Sequence, residues 1–553
     1  MKLLQLRIPV LALLLSFHLG YSQVRIFPTN PNILYSGRID FRNPNVPKFN
    51  HSGSTIKAKF EGTSIALIIK GNANTTFNLI VDNNPPRLLK LNDTDTLFRL
   101  ANNLSNSTHT VELIRRTETF FGTNEFLGFQ LEQGKKLLPL ARSQRRIEFI
   151  GNSITCGYGI EAASPTVPFT AETENVSVAF SGLTAKNFSA EQLTFCRSGI
   201  GIYRSGDKPG PTDDAMINVY DRLNMYDQTP KWDYNSFIPQ VVVIDLGTND
   251  FNGAGADSTL FTQAYESFVK RVRSNYPDAK IFAVVGPMMG GAELTRIKSY
   301  LTSMVGRLNT AGDNNVYFFE LRGQGCCGFG SDYHPSVGQA DLNAKELTKF
   351  IESKTDWKAR PQVLSTKMAT DGLSIEVGFD KTLTDPIADT SSFLVKSTAG
   401  RSIKVKGAVL SASDPKKVTL TLSSPIVKGE TITLNYVEGT LKSQEGEYLA
   451  TFVKSVTNAV VTNLTPEVKN SQLSIIHQNG NYTLTVNTNG RTSNAAIALY
   501  NLQGVKMATL FKGVVVGTNE ISLNNKDLEV KEGIYIIKAD LDGEIVSQKV
   551  YLK

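Results

Sequence analysis

The chain has 553 residues, 41% of them hydrophobic and 20% charged, with a formal net charge of +7. That length is too great for one hydrophobic core and points to three or four domains. The positive charge is spread without a dense Lys/Arg run, which argues against a nucleic-acid partner. Beyond the first 22 residues there is no run of eighteen consecutive apolar residues that would form a transmembrane segment in the mature chain.

Residues 1–22 carry Lys2 and Arg7, then an apolar stretch from Ile8 to Leu19 and small residues before Gln23. This pattern reads as a signal peptide, so the protein is expected to be secreted or held at the cell surface. Residues 23–140 alternate with period two in Thr55–Phe60, Ser64–Ile69 and Thr76–Val81, separated by turn signals such as Asn83-Asn-Pro-Pro86. A β-sandwich of jelly-roll-like form is expected there. Over residues 141–358 the period changes. Strands at 147–150, 241–246, 280–285 and 315–321 alternate with helical patterns, among them Leu260–Tyr276 and Ser336–Ser353. The first of these helices places Phe261, Tyr265, Phe268, Val272 and Tyr276 on one face. This is the signature of a doubly wound, flavodoxin-like α/β domain. Residues 361–460 return to short β segments, including Val418-Thr-Leu-Thr-Leu422, and read as an Ig-like β module. Residues 465–553, with Ala498–Lys506 and Gly533–Asp540, read as a further β-sandwich.

The chemistry lies in the α/β segment. In Arg145-Arg-Ile-Glu-Phe-Ile-Gly-Asn-Ser-Ile-Thr-Cys-Gly-Tyr-Gly159, an apolar run breaks at Gly151-Asn152 and Ser153 follows over the strand's end. Nucleophilic serines are presented in this way, beside backbone N–H groups able to hold an oxyanion. Such a serine needs a base. Of five histidines, His18 lies in the leader and His51, His109 and His477 lie outside the α/β segment. His334, in Gly330-Ser-Asp-Tyr-His-Pro-Ser336, remains. Val241–Leu246 reads as a strand buried on both faces, ending in Gly247-Thr-Asn-Asp250. Asn249 then stands at the carboxyl edge where ligands bind in open α/β sheets, although Asn249 and Asp250 would also serve to cap the next loop. The glycine-rich Arg197-Ser-Gly-Ile-Gly-Ile-Tyr-Arg204 has no Lys followed by Ser or Thr, so it is no phosphate loop.

In this order the four segments resemble the SGNH, or GDSL-like, hydrolases, with Asn152 where that family has Asp. The resemblance implies that Ser153 attacks an ester carbonyl. The oxyanion would be held by the Ser153 N–H, the N–H of Gly201 (or Gly199) and the Asn249 side chain. The serine block, Gly201-Ile-Tyr-Arg204 and Asp332-Tyr-His-Pro-Ser336 further resemble carbohydrate esterase family 2, over residues 24 to 360. That likeness implies a β-sandwich ahead of the catalytic domain. It also implies removal of acetyl groups from plant polysaccharides such as xylan and glucomannan. The last block resembles the C-terminal sorting domain of type IX secretion in Bacteroidetes, which would make the secretion machinery a partner. A lipase or thioesterase on the same scaffold, or a non-catalytic glycan-binding surface protein, are the alternatives.

The third triad member is open. Most SGNH hydrolases place Asp three residues before the histidine, where this chain has Ser331; the carboxylate is Asp332. Pro335 biases His334 toward extended backbone, on which residues two apart share a side. Asp332 would then reach the imidazole, unless a backbone carbonyl orients the ring. The family tends to place an aromatic ring beside the site to stack on sugar. The loop Gly286–Gly291 has none, leaving Tyr158, Tyr203 and Tyr333 as candidates for substrate or for packing. The four cysteines, Cys156, Cys196, Cys326 and Cys327, have the wrong spacing for zinc, and no metal or other cofactor is expected. Export permits a disulfide, for example between Cys156 or Cys196 and one of the adjacent pair.

Overall fold

Along Thr55–Gly62 every second residue is buried, and Ile65–Lys70 repeats the pattern, so each strand turns one apolar row inward. These strands belong to two antiparallel sheets. One orders Gln23–Ile26, Asn124–Glu132, Ile65–Lys70 and Leu97–Ala101. The other orders Leu137–Leu138, Thr55–Gly62, Ser107–Arg115, Thr76–Val81 and Arg87–Lys90. Between them lies a core of Phe60, Leu67, Ile69, Phe77, Leu113, Phe126 and Phe129. The computed structural model describes residues 23–206, 208–252, 256–384, 390–398, 400–460, 471–478, 481–524 and 530–552. The leader at 1–22 lies outside the described residues.

The α/β domain has five parallel strands: β1 (Arg146–Gly151), β2 (Glu191–Cys196), β3 (Val241–Asp245), β4 (Lys280–Val285) and β5 (Val316–Glu320). They lie in the order β2-β1-β3-β4-β5. The order reverses direction between β1 and β3, and in such sheets the ligand crevice opens at that point beyond the carboxyl ends. All five residues of β3 are buried, as its unbroken apolar run requires. Besides a short helix at Met216–Val219, the helices are α1 (Ser153–Cys156), α2 (Phe180–Asn187), α3 (Ser258–Asn275), α4 (Gly291–Thr310) and α5 (Val337–Lys354). Helix α3 buries Phe261, Tyr265, Phe268 and Val272, the face expected from its period.

The sandwich and the α/β domain meet through buried polar groups. Arg38 and Glu148 form an ion pair with both side chains fully buried. The Arg38 guanidinium also lies 3.9 Å from the Phe195 ring centre and donates to the Tyr220 and Arg222 carbonyls. Seven strands between Val363 and Val456 form one sheet, and they lie in the same compact unit. A second unit, mainly residues 460–553, is a five-stranded antiparallel sheet built on the long strands Asn481–Tyr500 and Lys506–Asn524. No helix of the described residues is long and apolar enough to cross a membrane.

Candidate active site

Three of the chemical segments leave the carboxyl ends of adjacent strands. After β1, Asn152 adopts extended backbone and caps α1: its side-chain oxygen accepts the Ile154 N–H at 2.9 Å, and its amide donates to the Asp245 carbonyl at 3.2 Å. Asn caps a helix as well as Asp does, which explains why the substitution in the serine block is tolerated. Gly151 has no room for a Cβ, which would sit 2.0 Å from Thr155 Oγ1. Ser153 thus begins a one-turn helix and is 8% exposed.

His334 arrives from the loop after β5. Its Nε2 lies 2.9 Å from Ser153 Oγ, and its Nδ1 lies 3.2 Å from the Ser331 carbonyl. A carbonyl can only accept, so Nδ1 carries the proton and Nε2 presents its lone pair to the hydroxyl. Burial lowers the His334 pKa below its usual value, partly offset by backbone carbonyls and the charge of Asp332, so the ring is neutral at neutral pH.

The carboxylate of Asp332 is not on the imidazole. Asp332 and Tyr333 both take left-handed backbone, with φ of 49° and 59°, in a tight turn over Ser331–Tyr333. Only His334 itself is extended, as Pro335 dictates. The same-side argument for residues 332 and 334 therefore fails. The turn sends the Asp332 carboxylate to the Tyr158 hydroxyl, 2.9 Å away, and leaves the Ser331 carbonyl at the ring.

The glycine block follows β2 and is held from across the crevice. Asp250 is fully buried, and its carboxylate accepts the N–H groups of Ile202, Tyr203 and Arg204 at 2.8, 3.0 and 3.4 Å. Asp250 had read as a local cap; instead it clamps a loop 46 to 48 residues away. Asn249 donates one amide N–H to the Ile200 carbonyl at 2.8 Å, which leaves its second N–H for another acceptor. Gly201 is buried, and a Cβ there would meet Asp250 Oδ2 at 2.5 Å. Gly199 is half-exposed, has φ of 79° and faces open space. The Asp250 carboxylate takes the N–H groups of residues 202 to 204 and neither the Gly199 nor the Gly201 N–H, so both glycines stand as oxyanion donors, Gly201 first as expected.

The tyrosines divide. Tyr203 is buried, and its hydroxyl accepts the Asp257 N–H at 3.0 Å, a packing role. Tyr333 is 59% exposed and stands edge-on to Phe329. Tyr158 lies between Phe169, parallel at 3.9 Å, and the His334 ring at 4.5 Å. Phe169, in a loop with no periodic signal, was not visible in the sequence. A small recess beside Ser153 is lined by Ile154, Ile160, Phe180 and Pro335.

The disulfide joins Cys156 to Cys196, not either of them to the adjacent pair, and ties α1 to the end of β2. Closing a loop of 40 residues restricts the unfolded chain by about 4 kcal/mol. Cys326 and Cys327 are free and exposed. Among the described residues, Glu118, Cys156 and Glu174 bring potential metal-ligand atoms within 4.8 Å of one another. The disulfide removes the Cys156 thiolate from that group.

Residues 35–140 match the family described as carbohydrate esterase 2 N-terminal, residues 147–347 the GDSL-like lipase/acylhydrolase family, and residues 358–440 a putative flagellar system-associated repeat. The chain is 42% identical over 330 residues to cellulase/esterase CelE of Acetivibrio thermocellus, covering 59% of this chain and 40% of the length of CelE. It is 32% identical over 313 residues to an acetylxylan esterase/glucomannan deacetylase of Cellvibrio japonicus, covering 53% of this chain and 82% of the relative. Among solved structures, a family two carbohydrate esterase from Clostridium thermocellum in complex with cellohexaose is similar. It shows 40% identity and a TM-score of 0.56 over 59% of this chain and all of that one.

Proposed function

Because the chain belongs to the family two carbohydrate esterases, we propose that it is a polysaccharide O-acetyl esterase acting on acetylated xylan or glucomannan. His334 Nε2 takes the Ser153 proton as Oγ attacks the acetyl carbonyl. The Ser331 carbonyl holds the imidazolium that forms, in place of a triad carboxylate. The Ser153 N–H, the N–H of Gly201 (or Gly199) and the free Asn249 amide hydrogen receive the tetrahedral oxyanion. His334 then returns the proton to the departing sugar hydroxyl, and a water activated by the same nitrogen releases acetate. The recess of Ile154, Ile160, Phe180 and Pro335 suits a short acyl group, and exposed Tyr333 offers a ring to a sugar.

The observation that carries this reading is the 2.9 Å contact between Ser153 and a histidine whose other nitrogen faces a carbonyl. Acetate release from acetylated xylan and glucomannan is the test. Ser153→Ala is expected to abolish it, and Asn249→Ala to lower turnover by about a hundred- to a thousandfold. Near-normal turnover by Ser153→Ala would overturn the assignment; a preference for long acyl chains would favour a lipase.

We further propose that the protein is exported through the leader at 1–22, that residues 361–460 form an Ig-like module, and that residues 465–553 are an address for type IX secretion. Expression in a host with that pathway, with and without residues 465–553, tests the last point. Retention of the shortened chain in the cell is the expected result.

A further inference from the structure

We propose that Glu118, a residue of the β-sandwich domain, is a positioning residue of the catalytic site that holds Ser198, and with it the glycine block Gly199–Gly201 whose N–H groups serve the oxyanion. The proposal rests on the serine-esterase reading above.

The segment after the sandwich strand Ser107–Arg115 leaves its own sheet and enters the α/β domain. Arg116 anchors it there, donating to the Glu174 and Glu172 carbonyls at 3.1 and 2.7 Å and to the Glu161 carboxylate. Two residues on, the Glu118 N–H donates to Glu174 Oε2 at 3.0 Å. Both oxygens of the Glu118 carboxylate are then committed to one residue. Oε2 accepts the Ser198 N–H at 2.6 Å and Oε1 accepts the Ser198 hydroxyl at 2.5 Å. Holding Ser198 by its N–H and its hydroxyl anchors the start of the glycine block, whose Ile200 carbonyl in turn receives the Asn249 amide at 2.8 Å. Gly199 has φ of 79° and no side chain, so nothing of its own constrains it.

The carboxylate is fully buried, an expensive placement unless its hydrogen bonds are used. Docking alone does not call for it, since Arg38 and Arg116 already join the two domains. Glu174 lies beside it, and its Oε1 is buried with no donor aimed at it. Burial, and then the Glu118 charge, push Glu174 well above the usual range, in the same direction. The same segment also reaches the other half of the site. Phe121 stacks on Phe169 at 6.0 Å, Phe169 on Tyr158 at 3.9 Å, and Tyr158 lies 4.5 Å from His334. One loop of the sandwich therefore braces both the oxyanion side and the base side.

The experiment compares the full chain lacking its leader with Glu118→Ala, Glu118→Gln, Ser198→Ala and Ser36→Ala, reading kcat and KM on a short aryl acetate together with thermal midpoints. Glu118→Ala is expected to lower kcat by about tenfold or more with little change in KM, a loss typical of a misplaced oxyanion donor. Glu118→Gln, which keeps one acceptor for Ser198, is expected to recover part of kcat. Ser36→Ala, which removes a docking contact from the sandwich to the Gln192 carbonyl away from the glycine block, is expected to lower the midpoint and leave kcat unchanged. If Glu118→Ala does not fold, Ser198→Ala decides: a lowered kcat supports the proposal and an unchanged one overturns it. A kcat within twofold of wild type in Glu118→Ala, or an equal loss in Ser36→Ala, also overturns it. An active Ser153→Ala chain would instead overturn the serine-esterase reading itself.

Discussion

At the scale of single residues, the base is set by what surrounds its two nitrogens. His334 is buried and its pKa lies below the ordinary value, which is about 6.5 for the free side chain. Only the neutral ring accepts the Ser153 proton, and the neutral form prevails above the pKa. As pH falls, kcat/KM is therefore expected to drop with a midpoint below about 6.5; a pH profile with its acid limb above that value would contradict the assignment. The ring's tautomer depends on the Ser331 carbonyl rather than on Asp332. Asp332→Asn should accordingly leave turnover far above the level reached when a base is left in the wrong tautomer, a loss of about ten-thousandfold. Because the Asp332 charge raises the His334 pKa, the same variant should move the acid limb further down. Steady-state kinetics on the one variant checks both.

At the scale of elements, the site is a set of loops at the carboxyl edge of a parallel sheet, each pinned by a group from another loop. Asp250 is the clearest pin. Its carboxylate gathers three successive N–H groups of the glycine block. Asp250→Ala would leave three buried donors without an acceptor and is expected to destabilise the chain by about 3 kcal/mol or more. Denaturant unfolding measures the stability. Turnover is expected to fall as well, since the Ile200 carbonyl that receives Asn249 lies on the same loop. The elements themselves were readable where one period ran unbroken. Strands β3 and β4 and helix α3 lie within one or two residues of the expected ranges. Strand β2 was missed because it opens on Glu191 and Gln192, which hide the apolar run behind them. Helix α4, which buries Ile297, Leu301, Met304 and Leu308, was passed over beside the glycines that precede it.

At the scale of the whole molecule, every residue assigned to the chemistry lies within residues 118–334, inside the first compact unit. A chain ending after residue 460 is therefore expected to retain its kcat and KM on a short acetate ester, and a comparison with the full chain measures this. The sandwich is a different matter, because Glu118 reaches Ser198 and Phe121 continues the stack that ends on His334. The sequence by itself determined the parts whose cause is local. A strand ending in Gly-Asn-Ser, a late His-Pro and an Asn after a buried strand each carry their signal within a few residues, and the fold order follows from hydrophobic period. Tertiary structure alone decided two things: that a carbonyl orients the histidine, and that Cys156 pairs with Cys196. Each depends on a backbone angle or on a contact across 40 or more residues, and neither leaves a periodic trace in the chain.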